Sequence, residues 1–126
     1  MNLRTPLARV RGLGSAKEGV AHWWAQRITA LALVPLALWL VVTIMTLMVS
    51  TYAEAVAFFH RPFNAVFMAL LVGATFHHGQ LGLQVVIEDY IHAEGLKVGL
   101  LLLVKALAVV LAALGILAVL KLALTG

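Results

Sequence analysis

The sequence predicts an all-α membrane protein with three transmembrane helices. Three observations lead there. Of 126 residues, 63% are hydrophobic and only 11% charged, with a mean hydropathy of +1.05. Average soluble domains carry about 25% charged residues, and one core in so short a chain has no room for this much apolar surface. The bilayer is the alternative solvent. Formal charge is also absent between Arg27 and Glu54, and again between Arg61 and Glu88. Finally, the basic residues gather ahead of the first of these stretches.

The absence of cysteine excludes disulfides, thiolate metal sites and a cysteine-held iron–sulfur cluster. The formal net charge of +4 does not indicate a nucleic-acid partner, because no basic stripe with interleaved aromatics accompanies it. The whole chain, 1–126, is expected to form a single membrane-anchor domain.

The elements follow in order. Residues 1–25 are polar and contain Arg4, Arg9, Arg11 and Lys17. The apolar stretch behind them starts too late and runs too long for a signal peptide, so no cleavage is expected. Trp23 and Trp24 stand where interfacial aromatics belong. The first span is expected at about 28–49, with Pro35 as a candidate kink that membrane helices tolerate. The second is expected at about 63–88, opened by Pro62. The third is expected at about 98–120, interrupted by Lys105 and closed by Lys121. The basic residues before the first span place the N-terminus in the cytoplasm. The loop of residues 88–97 then lies on the same side and the C-terminus outside.

Polar residues inside a span ask for a reason. The second span contains His77, His78, Gln80 and Gln84 in its cytoplasmic half. His78 precedes Asp89 by eleven residues, which returns to nearly the same helical face about 16 Å further along. Gly82 lies on that face too and permits a partner helix or a flat macrocycle to come close. A neutral imidazole in lipid is a natural axial ligand for haem iron. A bond to a neighbouring helix and a proton relay are open alternatives for it. His77 is a rival ligand pointing about 100° away, so both imidazoles cannot clasp one iron. A second axial ligand would come from another chain.

Tyr90 offers a phenol at the membrane surface that can donate to a quinone carbonyl, and Asp89 can hold it or relay protons. An interfacial tyrosine beside a solvated acid is the plainer reading of the same pair. Arg27, at the end of the first span, is either a positive-inside anchor or a partner for a haem propionate or quinone. Gln26 and Thr29 are further polar neighbours at that end. Lys105 reads chiefly as a snorkelling side chain. His22, His60 and His92 are expected to be exposed.

The run HGQLGLQVVIEDYIH at 78–92 resembles the second-helix signature of the succinate dehydrogenase hydrophobic membrane anchor subunit. The run GSAKEGVAHWWAQRITA at 14–30 is similar to that family's entry into its first helix. The combination looks like the alphaproteobacterial branch, and it covers essentially the whole chain. The sister subunit's Ser-His-Arg type of pattern is absent, so this chain resembles the anchor and not the cytochrome. The resemblance implies that His78 is an axial ligand of haem b, shared with a cytochrome b556 subunit. It implies that Tyr90, with Asp89 as its neighbour, hydrogen-bonds ubiquinone, and that Arg27 lies near the propionates and the quinone pocket. It further implies docking of an iron–sulfur subunit that receives electrons from a flavoprotein, at the bacterial inner membrane. Succinate itself is not oxidised in this chain, which has no dinucleotide fingerprint and no cysteine. A fumarate reductase anchor and a small proton-coupled transporter are the alternatives.

Overall fold

The computed structural model describes residues 5–11 and 17–125. Arg4 and the Gly14-Ser15-Ala16 start of the N-terminal motif lie outside the described residues, as do the side chains of Arg9 and Lys17. Five helices run in order among the described residues: α1 (Pro6–Val10), α2 (Lys17–Leu47), α3 (Tyr52–His60), α4 (Pro62–Tyr90) and α5 (Glu94–Leu124). No strand occurs among them. Three helices, α2, α4 and α5, are long and apolar enough to cross a membrane.

Each long helix exceeds its expected span. α2 has 31 residues, or about 46 Å at 1.5 Å per residue, against a hydrocarbon core of about 30 Å. It starts at Lys17, well inside the segment expected to be merely polar. Nothing between Lys17 and Arg27 breaks a helix except Gly19, and water can serve the backbone of any turn outside the lipid. Pro35 sits inside α2 without ending it. Pro62 opens α4 at its first turn, where a missing backbone donor costs nothing.

The connection between the second and third spans is shorter than the 88–97 loop expected from sequence. α4 continues through Tyr90 and α5 begins at Glu94, leaving only residues 91–93 unwound. Asp89 and Tyr90 therefore belong to the last turn of a helix.

α3 is an element that hydropathy alone misses. Its start is a capping box. The Thr51 backbone N–H donates to Glu54 Oε2 at 2.7 Å, and the Glu54 backbone N–H donates to Thr51 Oγ1 at 3.4 Å. The Thr51 hydroxyl in turn donates to the same carboxylate at 2.9 Å. Both bonds to Thr51, the backbone one first, hold the Glu54 carboxyl below its ordinary value of 4.5. An aromatic cluster ties α3 to the spans: Trp39 of α2 stacks on Phe58 at 6.4 Å and meets the edge of Phe67 of α4 at 5.6 Å.

α4 is the hub. It packs against α2 on one face and α5 on another, while α3 lies across α4 and α5. α4 and α5 come close at Gly115, where an added Cβ would stand 2.8 Å from Val72 Cγ1. Small residues let membrane helices come this near. Among the described residues few side chains are buried: Ala65, Leu71 and Leu81 of α4, Val119 of α5, and the polar Thr43 and Gln80. The most apolar window of α5 contains no buried residue. Such exposed apolar surface is what lipid or partner helices cover.

Candidate functional site

Two polar stripes run along α4, one facing each neighbour. The first faces α2. His78 is half-buried there, and its Nδ1 lies 2.9 Å from Thr29 Oγ1, a pairing across 49 residues of sequence. The Thr29 hydroxyl also lies 2.7 Å from the Ala25 carbonyl and 3.1 Å from that of Gln26. A hydroxyl has one proton and two lone pairs. With the proton on the Ala25 carbonyl, the hydroxyl can only accept from the imidazole. His78 then carries its proton on Nδ1 and its lone pair on Nε2. Nε2 has no hydrogen-bond partner among the described residues.

The same face of α2 continues through Gln26 and His22, three and seven residues before Thr29. Gln26 Nε2 would lie 3.8 Å from a Cβ added at Gly82, so Gln26 reaches α4 one turn from His78. That distance is ordinary van der Waals contact, so Gly82 meets a side chain here and no helix backbone presses on it. Gln26 Oε1 and His22 Nε2 are both buried without a hydrogen-bond partner. His22 was expected to be exposed, but it is only partly so. Its long helix carries it inward onto the stripe.

The second stripe faces α5. Gln80, 8% exposed, donates from Nε2 to Gln84 Oε1 at 3.2 Å. Gln84 donates to Glu88 Oε1 at 2.9 Å. This i, i+4 ladder runs from the buried part of α4 to its end. His77 belongs to this side: with Gln80 and Lys105 it lines a groove floored by Gly73, Ala108 and Ala112. The adjacent histidines are thus separated by the fold, one toward α2 and one toward α5.

The remaining sequence candidates are not drawn into contact with His78. Tyr90 is 76% exposed, and Asp89 is exposed beside it. Neighbouring helical residues point about 100° apart, and no hydrogen bond joins these two among the described residues. Arg27 is exposed, with its guanidinium 5.2 Å from the Trp23 ring centre, a cation–π contact at the membrane boundary. Lys97 pairs with Glu94 at 3.1 Å on the first turn of α5. No group of three or more potential metal-ligating side chains occurs among the described residues. Thr29 was legible only as a polar neighbour of the first span's end. The signal that marks it is its spacing from Gln26 and His22 on one helical face.

A family model described as the succinate dehydrogenase/fumarate reductase transmembrane subunit matches residues 1–118. The chain belongs to that family. Among similar proteins, the succinate dehydrogenase hydrophobic membrane anchor subunit of Rickettsia bellii (strain RML369-C) is 35% identical over 108 residues, covering 86% of each chain. The subunit of that name from Paracoccus denitrificans is 34% identical over 90 residues, covering 71% of this chain and 70% of its own. The succinate dehydrogenase membrane anchor subunit of Reclinomonas americana is 30% identical over 97 residues, with 74% and 80% covered. No solved structure matches. The resemblance expected from the two sequence runs holds, and the chain is a multi-pass membrane anchor of the succinate dehydrogenase type. The transporter alternative has no comparable support.

Proposed function

We propose that this anchor co-ligates haem b through His78 Nε2 and helps form a ubiquinone site at the α4–α5 turn. The observation that carries the reading is the state of His78. Its Nδ1 lies 2.9 Å from Thr29 Oγ1, its Nε2 has no hydrogen-bond partner among the described residues, and two buried unpartnered polar atoms of Gln26 and His22 lie on the same stripe. A group with an imidazole-binding metal and a polar margin fits that place. When bound, the haem supplies one-electron transfer. Of the chain's own residues, His78 would hold the group and Thr29 would hold the His78 ring. His77, which lines another groove with Lys105, would not share that iron, and a second ligand would be supplied by a sister cytochrome b556 subunit.

Tyr90 and Asp89 are free at the end of α4, where a quinone carbonyl can accept from the phenol and the carboxylate can pass a proton. Arg27 is the cationic partner for a propionate or quinone from the neighbouring helix end. The basic N-terminal residues support a cytoplasmic location for this end, in what we take to be a bacterial inner membrane. There the iron–sulfur subunit, fed by the flavoprotein, docks on the anchor. Turnover toward succinate oxidation follows the names of the relatives, while the family description also embraces fumarate reduction.

The test is the reduced-minus-oxidised absorbance spectrum of the purified complex for wild type, His78→Ala and His77→Ala. A b-type signal present in wild type, retained in His77→Ala and lost or shifted in His78→Ala is expected. A complex that reduces quinone without haem would reject the cofactor assignment. A signal unchanged in His78→Ala would reject the ligand.

A further inference from the structure

We infer that Thr29 is a positioning residue that sets the tautomer and ligand strength of His78 from the neighbouring helix. This rests on the haem reading above. A histidine offers two ring nitrogens, and the one bonded to a second group decides which is left for a metal. Thr29 Oγ1 stands 2.9 Å from His78 Nδ1. We assign the hydroxyl's own proton to a backbone carbonyl of its helix, since Ala25 O lies at 2.7 Å, closer than His78 Nδ1. That back-bond is built into the helix, since the i−4 carbonyl is always at hand for a threonine hydroxyl. The hydroxyl is therefore an acceptor toward α4, and no other bond to His78 Nδ1 occurs among the described residues. Two consequences follow. The proton is held on Nδ1, so Nε2 is the nitrogen with a free lone pair. The ring is also held in one rotational setting, because the bond spans two packed helices.

An acceptor on Nδ1–H strengthens electron donation from the other ring nitrogen to a bound metal. Added electron density at iron favours the ferric state. Loss of the acceptor should therefore weaken haem retention and move the haem potential in the positive direction. Loss of such an outer partner commonly costs about 10–100-fold in metal affinity. A threonine that only filled space would affect assembly and leave the potential where it was.

The test uses the intact complex with Thr29→Val, Thr29→Ala and Thr29→Ser, read by haem content per complex and by redox titration of the b-type signal. Val keeps the shape without the hydroxyl. Ala guards against a failure of Val to pack. Ser restores the hydroxyl alone. Lower haem retention, by about 10-fold or more on dilution, and a positive shift in potential are expected for Val and Ala, with Ser close to wild type. Wild-type retention and potential in Val and Ala would overturn the inference while leaving His78 as ligand. Equal impairment of Ser and Ala would also overturn it, since the hydroxyl would then not be the operative feature. Haem absent from wild type, or unaltered in His78→Ala, would instead mark the failure of the ligand reading itself.

Discussion

Gly115 and Val72 show how a single side-chain volume governs this fold. A Cβ at Gly115 would lie 2.8 Å from a methyl of Val72. Valine is β-branched and cannot swing its methyls aside as a longer chain could. Gly115→Ala should destabilise the α4–α5 pair by about 1–3 kcal/mol, in the range of overpacked cores. Denaturation in detergent of Gly115→Ala, Val72→Ala and the double variant would show it: the double variant should recover much of the loss, and simple additivity would refute the contact as its cause. The histidine pair makes the same point for chemistry. His77 and His78 are neighbours in sequence, yet one lines the groove with Lys105 and the other meets Thr29.

Among the elements, α3 has the most local origin. Thr51 and Glu54 satisfy each other's backbone at its start, and the cap depends on an ionised carboxylate. Because the Glu54 pKa is lowered on folding, its contribution is complete above the ordinary value of 4.5 and is lost as pH falls through the lowered value. Amide exchange in the first turn of α3 should therefore accelerate as pH is lowered below 4.5 beyond the intrinsic chemical trend. Glu54→Gln should weaken that pH dependence and raise exchange at neutral pH. Identical exchange behaviour in the two proteins would dismiss the carboxylate as the cap. α4 is the contrasting element. Its two stripes, His78 with Gly82 and Gln80-Gln84-Glu88, were each present in the spacing, but a single helix says nothing of which neighbour each stripe meets.

For the whole molecule, the arrangement is a row centred on α4 with little buried interior and much apolar surface. Such a chain has its final surroundings in lipid or other subunits, and its orientation sets which end of α4 would meet the proposed soluble subunits. The protein has no cysteine, so single cysteines report topology without background. His92→Cys, in the α4–α5 turn, should react with a membrane-impermeant maleimide only in inverted vesicles. Thr125→Cys should react only from the outer face. The opposite pattern would reverse the orientation and move the proposed quinone site to the other side of the membrane.

Sequence alone determined the three spans, because each is a local sum of hydropathy over about 20 residues and needs no knowledge of its neighbours. It also marked His78, Asp89, Tyr90 and Arg27, since polar groups at a membrane's interior or edge stand out against an apolar background. Tertiary structure alone decided that His78 meets Thr29, that His77 turns to Lys105, and that Asp89 and Tyr90 end a helix without bonding one another. The reason is physical. In a soluble helix the apolar stripe announces the packed face, but in lipid both packed and exposed faces are apolar. Helix pairing then rests on close shape and a few polar contacts between distant residues, and a bond between residues 49 apart has no signature in local periodicity.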